Sequence, residues 1–334
     1  MSLQQSRGSV PLSLPLGLAA DQLAPLQFDR RSGAITGAST AQKMLIYLLG
    51  AGVRLSAGWS YRGFGTLCRL LRRLLPPRLI TVRLNDDALL CFPFADSYWS
   101  ALLDPGFVYE DDIEILLRAS AAIDYTFLDC GANCGYWSVL VSSTPFGAKR
   151  AIAFEPSSHS FHLLSQNALI NRTGFQCRKS ALGGMAGVAR LTGCKHESMT
   201  IAAEPGGAPG EWVPVIALDG MIDEGLVAPH DRCIIKLDVE GLEIESLQGG
   251  RRMLSGDCVV ICEDHGGDRD HTVSRHILTQ TAMKLFCFDP VTRRYEQLTD
   301  ASALDRIKRF SNRGYNVLAT SSAFWEQVIR AATP

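Results

Sequence analysis

The segment FLDCGANCGYWSVL, residues 127–140, places an apolar strand, an acid, two glycines and an asparagine directly before a helical pattern. Gly131 and Gly135 can adopt the backbone conformations of a tight turn and let a ligand approach closely. The helix that follows offers free N–H groups at its start. The segment therefore predicts the first strand-to-helix turn of a ligand-binding α/β unit.

From about residue 80 onward, strand and helix patterns alternate along the chain. ITVRL and ALLCF predict a hairpin, and YEDDIEILLRAS predicts a helix with acids in its first turn. Further strands are predicted at YTFLDC, RAIAFEP, FQCRKSAL, WVPVIAL, CIIKLDV, CVVICED, KLFCFDP and YNVLATS. The alternation predicts an α/β fold with a doubly wound, mostly parallel sheet and helices on both faces.

The opening turn differs from the dinucleotide fingerprint G-x-G-x-x-G, because it reads GANCGY and lacks the second and third glycines. Asp129, at the end of the strand, would repel a pyrophosphate but can accept a hydrogen bond from an ammonium group or water. Glu155 ends the next strand, where a carboxylate can bind both hydroxyls of a ribose. Two such acids predict a ribose-bearing, positively charged ligand, and S-adenosylmethionine is the common one.

Charged residues also follow two later apolar strands. In CIIKLDVEG, Lys236, Asp238 and Glu240 share one face of an extended segment, and in CVVICEDHGG Glu263 and His265 do the same. If these strands are neighbours, the three acids and His265 converge beside the turn as general-base candidates for a hydroxyl. They could instead bind a divalent metal or form a structural ion-pair network. No firm ligand spacing such as H-E-x-x-H is present, so no metal site is predicted.

Taken together, these motifs resemble the FkbM family of S-adenosylmethionine-dependent methyltransferases. The resemblance runs from VYEDDIEILL to GYNVLATS, about two thirds of the chain, and DCGANCGY with KLDVEGLEIESLQGG is its most specific part. Cys134 and Trp137 depart mildly from the family pattern. The resemblance implies a class I methyltransferase (Rossmann-like) fold, a seven-stranded sheet whose last strand is antiparallel.

The resemblance also implies roles for individual residues. The implied cofactor contacts are Asp129, Gly131, Asn133 and Gly135 at the methionine, Glu155 at the ribose, and Ser180 and Ala181 at the adenine. Asp238 would face the reacting methyl group. Because family members commonly methylate hydroxyls of sugars or secondary metabolites, the implied reaction is O-methylation of a small-molecule or glycan hydroxyl. Tyr98, Trp99, Tyr109 and residues 195–210 are candidates for the acceptor pocket.

Residues 1–80 are predicted to form an N-terminal arm and helical extension ahead of a methyltransferase domain over residues 81–334. STAQKMLIYLLGAGVRLSAG predicts a helix with Ser39 or Thr40 as its N-cap. GFGTLCRLLRRLLPP predicts a second helix with leucines on one side and Arg69, Arg72 and Arg73 on the other. This helix could contact a membrane surface or a partner, or pack on its own domain. A homo-oligomer is a further possibility.

Composition excludes some classes of function. A net charge of -1 provides no basic field for nucleic acid. The ten cysteines form no C-x-x-C pair, which favours free thiols in a reducing cytoplasm. Two alternatives to a methyltransferase stay open from the sequence: a nicotinamide-dependent oxidoreductase, and a non-catalytic protein of this fold recruited to a membrane or partner.

Overall fold

The computed structural model describes residues 25–59, 61–73, 78–192, 200–202, 210–311 and 314–333. Its strands, in chain order, are β1 Leu26–Asp29, β2 Ile35–Thr36, β3 Leu79–Arg83, β4 Leu89–Pro93, β5 Thr126–Cys130, β6 Arg150–Phe154, β7 Gln176–Arg178, β8 Ala181–Leu182, β9 Gly187–Thr192, β10 Thr200–Ala202, β11 Glu211–Ile216, β12 Cys233–Leu237, β13 Cys258–Glu263, β14 Lys284–Asp289, β15 Arg294–Leu298 and β16 Asn316–Thr320.

The α-helices of the described residues are α1 Thr40–Ala57, α2 Phe64–Arg72, α3 Asp111–Ala119, α4 Tyr136–Val141, α5 Ser158–Ile170, α6 Leu218–Asp223, α7 Glu243–Gln248, α8 Arg251–Leu254, α9 Thr272–Gln280 and α10 Ala323–Ala331. Short 3-10 helices occupy Trp99–Leu103, Thr144–Phe146 and Ala301–Arg306. Within these ranges, none of the helices combines the length and apolarity that a bilayer crossing requires.

A mixed sheet of eight strands, in the order β15-β14-β16-β13-β12-β5-β6-β7, forms the centre of the fold. The five strands from β13 to β7 pair in parallel. The last strand, β16, is antiparallel to both of its neighbours, as predicted. The predicted count of seven strands is wrong by one, because β15 forms a hairpin with β14 and extends the edge of the sheet.

Helices cover both faces of this sheet, which confirms the doubly wound architecture. Every residue of β5 is buried, because successive side chains point to opposite faces and both faces are covered. Phe127 belongs to a core shared with α3, α4, α5 and α10, whereas Leu128 belongs to a second core shared with α6, α7, α8 and α9. The continuous apolar pattern of these strands follows from that double burial.

A second sheet, with the strand order β2-β1-β3-β4, lies in the N-terminal part and packs with α1 and α2. The predicted hairpin is β3–β4. Ser39 is the N-cap of α1, within a capping box in which Ser39 and Gln42 bond each other's backbone N–H groups. The boundary predicted at residue 80 lies inside β3, which pairs with β1. Residues 1–24, the first part of the predicted arm, lie outside the described residues.

A third sheet, in the order β10-β9-β11-β8, is inserted between β7 and β12. The segment FQCRKSAL, predicted as one strand, divides into β7 in the main sheet and β8 in this small sheet. WVPVIAL forms most of β11, which belongs to the small sheet and not to the main one. Residues 180–182 at the start of this insertion therefore reach the edge of the main sheet's crevice.

Asn167 on α5 connects the N-terminal sheet to the opening turn. Its side chain is fully buried and accepts a hydrogen bond from Cys91 N at 2.7 Å. It also donates to Cys91 O at 3.0 Å and to Cys134 O at 2.8 Å. One amide therefore fixes β4 and the glycine turn after β5 to the same helix.

We expect Asn167→Ala to lower the free energy of unfolding by at least about 2 kcal/mol, because buried backbone groups of Cys91 and Cys134 lose their partner. Urea denaturation measures this change. Leu169→Ala, at an exposed position of the same helix, is the control and should change stability by less than about 0.5 kcal/mol. Equal stability of the two variants would show that Asn167 does not join these elements.

Candidate functional site

The turn after β5 is built around Gly131. Its φ of +85° lies in the left-handed region, and a Cβ atom at this position would lie 1.7 Å from the backbone oxygen of Asp238. Asp238 N also donates to Cys130 O at 3.0 Å. Only glycine allows the ends of β5 and β12 to approach this closely. The turn and the first residue after β12 therefore form one continuous wall.

Glu155 closes the turn from the end of β6. Its carboxylate accepts hydrogen bonds from Asn133 N and from Ser157 N, both at 2.9 Å. Burial raises the pKa of Glu155 to about 7, although these two bonds oppose the shift. Asp129, also buried, accepts from the hydroxyl and N–H of Ser138 at 2.6 and 3.2 Å. Burial raises the pKa of Asp129, while the nearby Lys236 opposes the shift.

Lys236 lies at the centre of a carboxylate cluster. Its buried ammonium donates to Asp238 Oδ2 at 2.6 Å. Burial alone would lower the pKa of Lys236, but the charges of Asp238, Glu110 and Asp129 outweigh burial and raise it. The same ammonium lowers the pKa of Asp238 against the opposing effect of burial. Asp238 is therefore an ionised carboxylate at neutral pH.

Glu263 supplies the neutral acid of this cluster. Burial and the adjacent charge of Asp238 raise the pKa of Glu263 to about 10, and the two carboxyl groups are hydrogen-bonded. A Cβ atom on Gly314 would lie 1.7 Å from Glu263 Oε1, so glycine at this position makes room for the side chain. A protonated Glu263 thus donates to an ionised Asp238 at neutral pH.

Glu240 and His265 also line the cavity, and both are less buried than Lys236. Glu240 has a left-handed φ of +55°, and burial with the charge of Asp238 raises its pKa to about 7. His265 Nδ1 is 3.7 Å from Glu263 Oε2, and its ring is partly exposed. The predicted convergence of Asp238, Glu240, Glu263 and His265 is therefore observed, whereas their catalytic roles stay predictions.

These groups surround a cavity of about 430 Å³. Six of the seven residues predicted to bind the cofactor line it: Asp129, Gly131, Asn133, Glu155, Ser180 and Ala181. Gly135 does not line the cavity. Gly135 instead shapes the turn. It is the N-cap residue of α4 with a left-handed φ of +89°, and a Cβ atom at this position would lie 2.6 Å from Leu164.

Glu110 belongs to the site but was not predicted there. The sequence placed it among the acids of the first turn of α3, whereas the structure gives it a left-handed N-cap conformation with φ +47°. Its carboxylate accepts from Trp137 Nε1 at 2.7 Å and from Asn316 Nδ2 at 3.3 Å. Burial raises the pKa of Glu110, although Lys236 opposes this shift. No local sequence pattern marks this change of direction.

Aromatic side chains form the opposite wall. Tyr136 packs against Trp99 and Tyr109 with ring centroids 5.7 and 5.0 Å apart, and Tyr98 shares a 2.7 Å hydrogen bond with the Tyr109 hydroxyl. Tyr98, Trp99 and Tyr109 had been predicted as acceptor-pocket candidates, and all three line the cavity. Most of residues 195–210, the other candidate, lie outside the described residues.

A second cavity of about 750 Å³ adjoins the first. The two share six lining residues, namely Tyr98, Trp99, Tyr109, Asp238, Glu263 and Gly314. The outer walls of the second cavity include Tyr61 and Phe64 from the N-terminal part, with Phe107, Phe288 and Phe310. The paired carboxyl groups of Asp238 and Glu263 therefore lie where a polar cavity meets an aromatic one.

Metal ligands and reactive thiols are the remaining groups to consider at the site. Over the described ranges, no group of three or more histidine, cysteine, aspartate or glutamate side chains is placed to hold a metal ion. All nine cysteines in these ranges are free. Burial raises the pKa of the Cys134 thiol well above its usual value, so this neighbour of the turn is not a nucleophile at neutral pH.

Comparison with known proteins identifies one family, described as the methyltransferase FkbM domain, over residues 129–296. No curated protein sequence matched the chain. Among solved structures, the chain is similar to the methyltransferase FkbM from Methylobacillus flagellatus KT at 15% identity and a TM-score of 0.36. That match covers 60% of this chain and 47% of the Methylobacillus protein, less than half of its length.

Two further solved structures are similar. The precorrin-6y C5,15-methyltransferase from Geobacter metallireducens GS-15 matches at 14% identity and a TM-score of 0.35, covering 65% of this chain and 90% of that one. A SAM-dependent O-methyltransferase from Thermotoga maritima matches at 13% identity and a TM-score of 0.33, covering 64% of this chain and 66% of that one.

The raised pKa of Glu155 predicts a pH-dependent stability. Because the folded-state pKa of about 7 exceeds the usual value of 4.5, the folded protein binds more protons than the unfolded chain between these values. Stability contributed by this group is therefore present at low pH and lost as pH rises toward 7. We expect the wild type to lose about 2 kcal/mol of unfolding free energy relative to Glu155→Gln as the pH rises from 5 to 8. Denaturant titrations across that range measure it, and a pH-independent difference would contradict the assignment.

Proposed function

Because this chain belongs to the FkbM methyltransferase family, we propose that it uses S-adenosylmethionine to methylate a hydroxyl group of a sugar, glycan or other small metabolite. The observation that carries the proposal is the meeting of two cavities at Asp238 and Glu263. One cavity has the glycine turn and carboxylates suited to the cofactor. The other has aromatic walls suited to an acceptor.

The first cavity fits the cofactor chemically. The missing Cβ atom at Gly131 lets Asp238 lie directly against the turn, and both residues line the cavity. Glu155, held by two backbone N–H groups, can accept both hydroxyls of a ribose. Asp238 is ionised beside Lys236, and a carboxylate at this wall suits a sulfonium better than a phosphate. When bound, S-adenosylmethionine supplies a methyl group already activated for in-line displacement.

In the proposed reaction, the protein positions the acceptor hydroxyl and removes its proton. Asp238 is the proposed base, because Lys236 keeps it ionised. Glu263, protonated at neutral pH, donates its one proton to Asp238, and its other carboxyl oxygen can accept a hydrogen bond from a neighbouring hydroxyl. His265 is the second candidate, since it lies beside Glu263 with its ring partly open to solvent.

Binding separates the proposal from the oxidoreductase alternative. We expect isothermal titration calorimetry to detect S-adenosylhomocysteine binding and no binding of NADH. Glu155→Ala should weaken S-adenosylhomocysteine binding by at least about tenfold, since the ribose hydroxyls lose their carboxyl acceptor. Asp124→Ala, an exposed acid near the opposite end of β5, is the control and should bind normally. Tight NADH binding without S-adenosylhomocysteine binding would overturn the proposal.

Substitution of the proposed base tests the reaction. We expect Asp238→Asn to lower methyl transfer by at least about a hundredfold, because the acceptor hydroxyl keeps its proton. The assay follows label from methyl-labelled S-adenosylmethionine into a panel of sugars, glycans and hydroxylated metabolites. S-adenosylhomocysteine affinity should stay within about threefold, and Asp231→Asn before β12 serves as the control. Full turnover in both Asp238→Asn and His265→Ala would refute the assignment.

A further inference from the structure

Helix α1 presents an apolar face to solvent. Met44, Tyr47, Leu48 and Leu55 are each exposed by half or more, and they recur at helical spacing on the side opposite the buried face. Leu55 is 78% exposed, and Trp59, just after the helix, is 74% exposed. A helix that is apolar on both sides is normally buried on both sides. Among the described residues, only one side of α1 is covered.

The segment that carries this face contains charged residues of a single sign. Residues 39–73 contain no aspartate or glutamate, and they include six basic residues: Lys43, Arg54, Arg62, Arg69, Arg72 and Arg73. Lys43 belongs to α1 itself, Arg62 follows Trp59, and the last three lie in or directly after α2. All six side chains are exposed, and Arg54 also pairs with Asp104 at 2.7 Å. The whole chain is nearly neutral, so the basic character is local to this part of the surface.

Apolar and aromatic side chains flanked only by basic residues match the interface of an anionic lipid layer. The apolar face can enter the boundary between headgroups and acyl chains, while lysine and arginine contact the anionic headgroups. Tyrosine and tryptophan are well suited to that boundary because they combine an apolar ring with a polar group. A second copy of the chain fits less well, since a symmetric contact through this face would bring two basic segments together.

We propose that the exposed face of α1 and Trp59, with basic residues of the same segment, docks the protein on an anionic lipid surface. We call this surface the α1 face. It lies close to the second cavity along the chain, because Tyr61 and Phe64, which line that cavity, follow Trp59 by two and five residues. Docking on lipid does not depend on the proposed methyl transfer, and the two are tested by different measurements.

Vesicle co-sedimentation of the full chain tests the docking. We expect binding to vesicles of equal parts phosphatidylglycerol and phosphatidylcholine, with weak binding to phosphatidylcholine alone. Binding should fall in high salt because the headgroup attraction is screened. The combined change Leu48→Glu and Leu55→Glu should lower the partition coefficient by at least about tenfold. The combined change Lys43→Gln, Arg62→Gln and Arg73→Gln should lower it by at least about tenfold as well.

The matched control is the combined change Met185→Glu and Val291→Glu. These residues are 82% and 76% exposed, comparable to Leu55, but they lie in the β8–β9 and β14–β15 connections. The control carries the same added charge and should bind vesicles like the wild type. Equal loss of binding in the control and in the α1-face variant would overturn the proposal, because the effect would then come from net charge alone.

Two other occupants of the α1 face give different results. If residues 1–24 cover it, the Leu48→Glu and Leu55→Glu variant should unfold at a clearly lower temperature, as a core substitution does. If a second copy covers it, the wild type should sediment as a dimer and this variant as a monomer. Either outcome, or absence of binding to anionic vesicles, contradicts docking on lipid. An unchanged Tm with selective loss of vesicle binding supports it.

Discussion

The site depends on one buried ammonium group. Lys236 lies near Glu110, Asp129 and Asp238, and its charge lowers the pKa of each of these carboxyl groups against the opposing effect of burial. Removing one partner of a buried ion pair typically costs about 3–5 kcal/mol, because the remaining charge is left uncompensated. The lysine therefore fixes which acids ionise. Asp238 is a carboxylate and Glu263 a neutral acid that donates to it, so the junction of the two cavities holds an ionised base positioned by its neighbour.

The backbone brings this cluster to the glycine turn. β5 and β12 are neighbours in the sheet, yet the chain passes through β6 and β7 before it returns to β12. The direction of the crossovers thus reverses between β5 and β12, which opens a crevice at their carboxyl ends. Gly131 lets the two strand ends touch on one side of that crevice. A side chain at position 131 would separate the turn from Asp238 and disrupt the wall they form.

The N-terminal part supports the aromatic wall and contributes to the second cavity. Arg54 on α1 pairs with Asp104 at 2.7 Å, and Gly50 lies against the backbone oxygen of Leu103, so α1 packs closely on the 3-10 helix that carries Trp99. Tyr61 packs against Phe107 at 5.7 Å between ring centroids. Residues before β3 therefore help to shape the region where an acceptor is proposed to bind, although no local motif assigned them that role.

The sequence alone determined the alternation of strands and helices, the first turn with Asp129, Gly131 and Glu155, and the second group of acids after β12 and β13. These are local signals, since apolar periodicity, glycine and strand-terminal charge each act within a few residues. Tertiary structure decided the eighth strand, the separate β8–β11 sheet and the entry of Glu110 into the site. It also decided which acids are ionised. Such properties depend on burial and on contacts between distant segments, and no local pattern records the distances that set them.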